Sequence, residues 1–97
     1  MNVISKHGLT TMVAKRPEAE NQAFAWYRVA RKAAWHSLED VRVQFPSADL
    51  TGNALIFNIR HNRYRLITKV SFQRQEIYIK ALLTHKEYDR EEWKKWA

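Results

Sequence analysis

The spacing of apolar residues predicts that the first half of the chain is helical. From residue 18 to residue 34, apolar side chains recur every three or four positions, and arginine and lysine occupy much of the remaining helix surface. Residues 9–13 have the same period, which predicts a shorter helix with Ser5 as its N-cap. A third helix is predicted from Ser37 to the residue before Pro46, because Ser37 and Asp40 have the spacing of a capping box.

The second half of the chain has the composition and period of β-strands. Three segments rich in β-branched and aromatic residues follow one another with short polar connections, which predicts an antiparallel meander. The predicted strands are residues 55–59, 63–72 and 77–83. Residues 2–4 are a candidate short strand, and residues 49–53 are predicted to form a loop.

The last segment returns to a helical pattern. Thr84 and Glu87 have the spacing of a capping box, and Tyr88, Trp93 and Trp96 follow at helical spacing, so one helix is predicted to begin after the third strand. The order of helices, meander and final helix is typical of an α+β fold. In such a fold the N-terminal helices pack on one face of a twisted, mainly antiparallel sheet.

The middle strand of the meander predicts two different faces. Because successive strand side chains point to opposite sides, one set of residues can face the core while the other set forms a row of cations. The core set is Tyr64, Leu66, Val70 and Phe72, and the outer set is Arg63, Arg65, Lys69 and Ser71. Lys80 of the third strand joins the row if the register of the sheet allows.

Composition narrows the choice of partner. The chain has 97 residues, enough for one domain over residues 1–97, and carries a net charge of +7 with no cysteine. A basic surplus of this size favours a polyanion such as RNA, although it also lies within the ordinary range for a small soluble domain. No apolar run approaches the ~20 residues that cross a bilayer, so we expect a cytoplasmic protein with no membrane partner.

Ionisable residues cluster where the third strand meets the final helix. The N-terminus of a helix attracts phosphate groups, and an imidazole ordinarily titrates near neutrality, so His85 is the natural general acid or base there. Tyr88 lies one turn further on. Thr84 and Glu87 are expected to act only as caps, whereas Tyr88 either takes part in the chemistry or packs through its ring.

A second group of polar residues surrounds the first turn of the meander. His61 and Asn62 either face a phosphate or base beside the basic strand or serve only as turn residues. The cations Arg63, Arg65, Lys69, Lys80 and Lys86 can hold phosphates, and the alternative is a solvated surface. No residues have the spacing of a metal site or a phosphate-binding loop, so we expect no metal and no cofactor.

Two strings of the sequence resemble the HigB family of bacterial type II toxins. Residues 56–66 (IFNIRHNRYRL) are similar to the family's F-N-I-x-x-N-x-Y-R-L hairpin, and residues 83–89 (LTHKEYD) are similar to its later T-H-x-E-Y-D. The positions that match these motifs are Asn62, Arg65, His85 and Tyr88. His61 stands where such sequences commonly have glycine, which affects the expected turn geometry more than the expected chemistry.

The resemblance implies a RelE-like fold and a ribosome-dependent endoribonuclease that cuts mRNA during translation. It also implies a helix-turn-helix antitoxin of the HigA kind as the inhibitor. In the expected metal-independent reaction, Arg65 stabilises transition-state charge, His85 transfers a proton, and Tyr88 transfers a proton or stacks on a base. The alternative is a non-catalytic RNA- or ribosome-binding module that uses the same basic surface. A DNA-binding regulator is disfavoured because no basic helix-turn-helix pair is evident.

Overall fold

Five strands form one mixed sheet in a computed structural model, which describes residues 1–60 and 63–97, the side chain of Lys6 excepted. The strands are β1 (Asn2–Ile4), β2 (Asp49–Thr51), β3 (Ala54–Ile59), β4 (Tyr64–Ser71) and β5 (Glu76–Thr84). Their order across the sheet is β1-β5-β4-β3-β2, and the β1–β5 pair is parallel whereas the other pairs are antiparallel. The predicted α+β fold and the meander are therefore confirmed.

The helices differ from the predicted ones mainly at their ends. They are α1 (Lys6–Lys15), α2 (Glu20–Lys32), α3 (Leu38–Gln44) and α4 (His85–Asp89), with 3₁₀ segments at Pro17–Ala19 and Glu92–Trp96. The long helix begins only at Glu20 because Pro17 opens a 3₁₀ turn before it. Within the two described parts of the chain, no helix has both the length and the apolar character needed to cross a membrane.

Two of the predicted helix starts behave differently from each other. Ser37 is an N-cap, because its hydroxyl accepts a hydrogen bond from the Asp40 amide at 3.3 Å. Ser5 precedes α1 as predicted, but it has a left-handed backbone with φ of 79° and its side chain makes no capping hydrogen bond. The prediction of a side-chain cap at Ser5 was wrong, because capping requires an extended backbone that aims the hydroxyl at the first turn.

The predicted loop at residues 49–53 was wrong in its first three residues. Asp49–Thr51 is the short edge strand β2, and it pairs with β3 in the register Asp49↔Ile56 to Thr51↔Ala54. The polar composition of this segment is compatible with an edge strand, since only one of its sides takes part in the sheet. The remaining two residues form the tight turn into β3, where Gly52 has a φ of 58°.

The main core lies between α1–α3 and one face of the sheet. Trp26 of α2 is only 1% exposed and meets Phe57 of β3 edge to face, with ring centroids 5.2 Å apart. Tyr64, Leu66 and Val70 of β4 point into the same core, as their even spacing predicts. The division of β4 into a core set and an outer set is therefore confirmed.

The outer face of the sheet carries a second apolar cluster. Trp93 is 4% exposed and packs with Ala54, Ile56 and Ile67 on the side of the sheet away from the helices. The final helix is broken at Glu91, whose φ is 61°, so the 3₁₀ segment can lie across this face. The expected row of cations is therefore divided into two parts, because Ile67 lies between Arg65 and Lys69 and is buried in this cluster.

A β-bulge explains why Lys80 belongs to the outer face. Ile67 pairs with Ala81 but the next residue, Thr68, pairs with Ile79, so Lys80 is the extra residue of β5. The bulge resets the alternation along β5. Lys80 thus shares the outer face with Lys69 and Tyr78, and all three line one cavity.

Candidate active site

The pairing of β4 with β5 brings the start of β4 next to the start of α4. Tyr64 pairs with Thr84 and Arg65 pairs with Leu83, so His85 follows directly at the end of the strand that borders Arg65. Thr84 forms the predicted capping box. Its hydroxyl accepts from the Glu87 amide at 3.2 Å, and the Glu87 carboxylate accepts from the Thr84 amide at 2.9 Å.

Arg65 and Tyr88 meet on the outer face of the sheet. The guanidinium carbon of Arg65 lies 5.4 Å from the centre of the Tyr88 ring, within the range of a cation–π interaction. Trp93 stacks on Tyr88 with ring centroids 5.1 Å apart and planes 2° from parallel, and its indole N–H donates to the Tyr88 carbonyl oxygen at 3.0 Å. Trp93 thus contacts both the ring and the backbone of Tyr88, and these two contacts fix the position of the Tyr88 side chain.

The surroundings of Tyr88 favour its neutral form. Burial raises the pKa of the phenol above its ordinary value, and the nearby Asp49 carboxylate raises that pKa further. The positive charge of Arg65 acts in the opposite direction but does not cancel these effects. At neutral pH the phenol therefore keeps its proton and can donate it.

His85 has a partner on its own helix. Its Nδ1 atom lies 3.2 Å from a carboxylate oxygen of Asp89, and both side chains are exposed. A carboxylate can only accept from the ring, so this contact places a proton on Nδ1 and leaves Nε2 for a substrate. The sequence-based prediction assigned Asp89 no contact with His85. Their four-residue spacing on a helix could have indicated that the two side chains meet.

Arg16 is a site-bordering residue that sequence analysis missed. Its guanidinium donates to Glu87 at 2.8 Å and lies 5.9 Å from the centre of the Tyr64 ring. Tyr64 in turn donates to the carboxylate of Glu18, which lies in the same 3₁₀ segment as Pro17. No local pattern indicates these contacts, because they join residues from opposite ends of the chain.

The charge of Glu87 is stabilised by this arrangement. Its hydrogen bond from the Thr84 backbone is the largest cause of a lowered pKa, and the Thr84 hydroxyl and Arg16 act in the same direction. Burial opposes them and raises the pKa. Glu87 therefore caps α4, as the sequence predicts, and also joins α4 to Arg16.

The other candidates for RNA contact divide into two groups. Arg63 and Lys86 are exposed beside the corner formed by β4 and α4. Lys69 and Lys80 lie near the opposite end of the outer face, beyond the cluster around Trp93. Asn62, together with His61, lies outside the described residues. Among residues 1–60 and 63–97, no three His, Asp or Glu side chains form a group that could hold a metal ion.

Comparisons with known proteins match most of the chain. A family described as HigB_toxin, RelE-like toxic component of a toxin-antitoxin system, matches residues 19–91. The mRNA interferase toxin HigB of Escherichia coli K12 is 29% identical over 92 residues, which are 92% of this chain and 88% of that protein. The mRNA interferase HigB of Escherichia coli O6:H1 is 25% identical over 93 residues, which cover 93% of this chain and 90% of that protein.

Proposed function

Because the chain belongs to the HigB family of RelE-like toxic components of toxin-antitoxin systems, we propose that it is an mRNA interferase, an endoribonuclease that cuts mRNA on the translating ribosome. The observation that carries the proposal is the convergence of two distant parts of the sequence. Arg65 of β4 lies against Tyr88, and His85 is on the same short helix as Tyr88. A cation is thus in contact with a protonated phenol, and an imidazole begins the short helix that carries the phenol.

The reaction that suits this group is transesterification within the RNA. The 2′-hydroxyl oxygen attacks the adjacent phosphorus, and a base removes the hydroxyl proton. The bond from phosphorus to the 5′-oxygen then breaks, and an acid gives that oxygen a proton, which leaves a 2′,3′-cyclic phosphate and a 5′-hydroxyl. No metal or cofactor takes part in these steps.

Each candidate residue has a role in this scheme. Arg65 stabilises the negative charge that builds on the phosphorus-bound oxygens. His85 transfers a proton through Nε2, with Asp89 holding Nδ1. Tyr88 donates a hydrogen bond or a proton through its hydroxyl, which its surroundings keep in the neutral, protonated form. Stacking of a base on Tyr88 is the less supported role, because Trp93 already covers one face of its ring.

The remaining cations are proposed to position the RNA. Asn62, Arg63 and Lys86 hold the nucleotides next to the cleaved bond, and Lys69 and Lys80 contact phosphates of mRNA or ribosomal RNA further away. The net charge of +7 supports such a polyanionic partner. We also propose that the protein is a single toxin domain that acts in the cytoplasm and is inhibited by a HigA-like helix-turn-helix antitoxin.

Expression of the toxin and two active-site variants in bacteria tests the proposal. Wild type should arrest growth, and primer extension on translated mRNA should show cuts at defined codon positions. Arg65→Ala and His85→Ala should abolish both effects while still binding the antitoxin, which shows that they are folded. Arg28→Ala, which removes an exposed arginine from α2, is the control and should remain toxic.

Two outcomes would count against the proposal. A folded Arg65→Ala, His85→Ala double variant that still produces the cuts would exclude the proposed site. Growth arrest without any cut in the mRNA would instead favour a non-catalytic ribosome-binding module.

Cleavage should also persist in an assay with RNA and toxin pretreated with EDTA under conditions that keep the ribosome intact.

A further inference from the structure

A second concave surface lies on the outer face of the sheet, at the end away from His85. This cavity has a volume of about 660 Å³ and is open to solvent along one side. Its charged and aromatic lining includes Lys69 from β4, Glu76, Tyr78 and Lys80 from β5, and Arg74 from the turn that joins these strands. Cavities of this size ordinarily accommodate a small organic molecule or part of a larger one.

The cavity combines an aromatic ring with several cations. Lys69 pairs directly with Tyr78 across the sheet, and the Nζ atom of Lys80 lies 5.7 Å from the centre of the Tyr78 ring. The tyrosine is half-buried, so the sheet supports the ring while part of it stays accessible. Among the described residues, no carboxylate comes within 4.0 Å of the ammonium or guanidinium groups of Lys69, Arg74 and Lys80.

An aromatic ring beside cations without ion-pair partners fits single-stranded nucleic acid. Bases stack on aromatic side chains whatever their identity, and lysine and arginine hold the phosphates between them. We propose that this cavity is a second RNA subsite, in which a base of the mRNA stacks on Tyr78 and Lys69, Arg74 and Lys80 hold neighbouring phosphates. This inference takes its ligand, mRNA, from the proposed function. It does not depend on any step of the cleavage reaction.

The subsite is separate from the site of cleavage. Lys69 follows Arg65 by four residues of β4, which corresponds to about 13 Å along a strand. Trp93 lies between the two regions and buries Ile67. One nucleotide is too short to contact Arg65 and Tyr78 together, so the cavity binds a part of the strand away from the cleaved bond.

Binding of purified toxin to fluorescent RNA provides the test. The RNA carries 2′-O-methyl groups, which prevent attack by the 2′-oxygen, and is used as three-nucleotide and twelve-nucleotide oligomers. Tyr78→Leu should weaken binding of the longer oligomer by about fivefold to a hundredfold, the effect of losing one stacked base. Tyr78→Phe should restore the affinity, and the three-nucleotide oligomer should bind all these proteins alike.

The chain offers matched controls on the opposite side of the molecule. Tyr27 and Arg31 of α2 form a similar pair, with the guanidinium carbon 5.9 Å from the centre of the ring. Tyr27→Leu should leave RNA binding unchanged. Lys80→Gln should weaken it more than Arg31→Gln does, although both substitutions remove one positive charge.

The possible results separate this inference from the proposed function. If Tyr78→Leu binds the longer oligomer as tightly as wild type, the subsite does not exist, whatever the cleavage assays show. If Tyr78→Leu and Lys80→Gln instead weaken only antitoxin binding, the cavity is a protein-binding surface and the inference is overturned. If RNA binding falls as expected while Arg65→Ala still cuts mRNA, the subsite stands and the catalytic assignment fails.

Discussion

At the scale of single residues, packing around Tyr88 decides which of its possible roles is supported. The family resemblance left proton transfer and base stacking as alternatives for this residue. Trp93 covers one face of the ring and Arg65 lies near its centre, so little aromatic surface is left for a base. The raised pKa of the phenol, caused first by burial, keeps the hydroxyl protonated and able to donate a hydrogen bond, and it also makes the phenol a weaker acid. The residue is therefore better suited to act through its hydroxyl than through its ring.

The substitution Tyr88→Phe separates these two roles. It removes the hydroxyl but keeps the ring that contacts Arg65 and Trp93. If the hydroxyl takes part in proton transfer, the rate of mRNA cleavage should fall by roughly a hundredfold or more, as is usual for loss of a general acid. Single-turnover cleavage on programmed ribosomes measures this rate. A base-stacking role predicts instead that phenylalanine retains nearly full activity.

Trp93 is expected to position Tyr88 without touching the RNA. Trp93→Leu removes the stacked ring and the hydrogen bond to the Tyr88 carbonyl, so the phenol should lose its fixed position. Cleavage should fall roughly tenfold to a hundredfold, mainly in kcat rather than KM. The matched control is Trp96→Leu in the same 3₁₀ segment, which packs on the same cluster. An equal loss in both variants would show that only the stability of the cluster matters.

At the scale of elements, local patterns predicted the strands of the meander and failed at residues whose environment is set by distant contacts. The β-rich composition of β3 to β5, the alternation along β4 and the helix caps Ser37 and Thr84 depend on neighbours in sequence, and the structure confirms them. β2 was missed because an edge strand can form without an apolar pattern of its own. It is defined here by its backbone pairing with residues 54–56 of β3. The break at Glu91 was missed because Trp93 gains its burial from strands elsewhere in the chain.

The capping box of α4 is expected to stabilise the folded protein. Thr84→Ala removes the hydroxyl that accepts from the Glu87 amide and leaves that amide without its partner. The expected loss in the free energy of unfolding is about 1 kcal/mol. Chemical denaturation followed by circular dichroism measures the loss. Thr84→Ser keeps the hydroxyl and should remain close to wild type, and equal destabilisation of both variants would contradict a capping role.

The lowered pKa of Glu87 predicts that the folded protein loses stability in acid. Because its pKa is lowered on folding from an ordinary value of 4.5, the folded protein holds the proton less tightly than the unfolded chain. Its stabilising contribution is complete above pH 4.5 and is lost as the pH falls through the lowered pKa. Glu87→Gln should therefore be less stable than wild type at pH 7, and the difference should shrink in acid.

The difference in the free energy of unfolding between wild type and Glu87→Gln isolates this effect, since all other carboxylates titrate in both proteins. Unfolding in urea at pH 7 and at pH 3 gives the two differences. Glu39→Gln in α3 is the control, because Glu39 is exposed and the structure gives it no capping contact. A Glu87→Gln difference that stays constant with pH would show that the carboxylate charge does not contribute.

At the scale of the whole molecule, the outer face of the sheet has two basic regions, which are separated by the apolar cluster around Trp93. Sequence analysis correctly placed Arg65 and Lys69 on one face, because alternation along a strand is a local property. The cluster around Trp93 could not be predicted, since Trp93 and Ile67 are far apart in the sequence and meet only in the folded protein. The register of β4 on β5 explains the contact of Arg65 with Tyr88, because it places Arg65 beside Leu83, shortly before α4 begins.

The salt dependence of RNA binding reports how many cations on this face hold phosphates. For single strands, the slope of log K against log salt is about −0.7 for each phosphate that is neutralised. If Lys69 and Lys80 each hold one phosphate, the double variant Lys69→Gln, Lys80→Gln should flatten the slope by about 1.4. Titrations of the twelve-nucleotide 2′-O-methyl RNA at several salt concentrations measure it.

The double variant Arg28→Gln, Arg31→Gln has the same net charge as the Lys69→Gln, Lys80→Gln variant but loses its cations from α2. Phosphate contacts are short-range, and charges on the helical side of the molecule are screened within about 10 Å at 0.1 M salt. The α2 variant should therefore keep the wild-type slope. Equal slopes in the two double variants would mean that binding follows net charge alone, and that the outer face of the sheet has no special part in holding RNA.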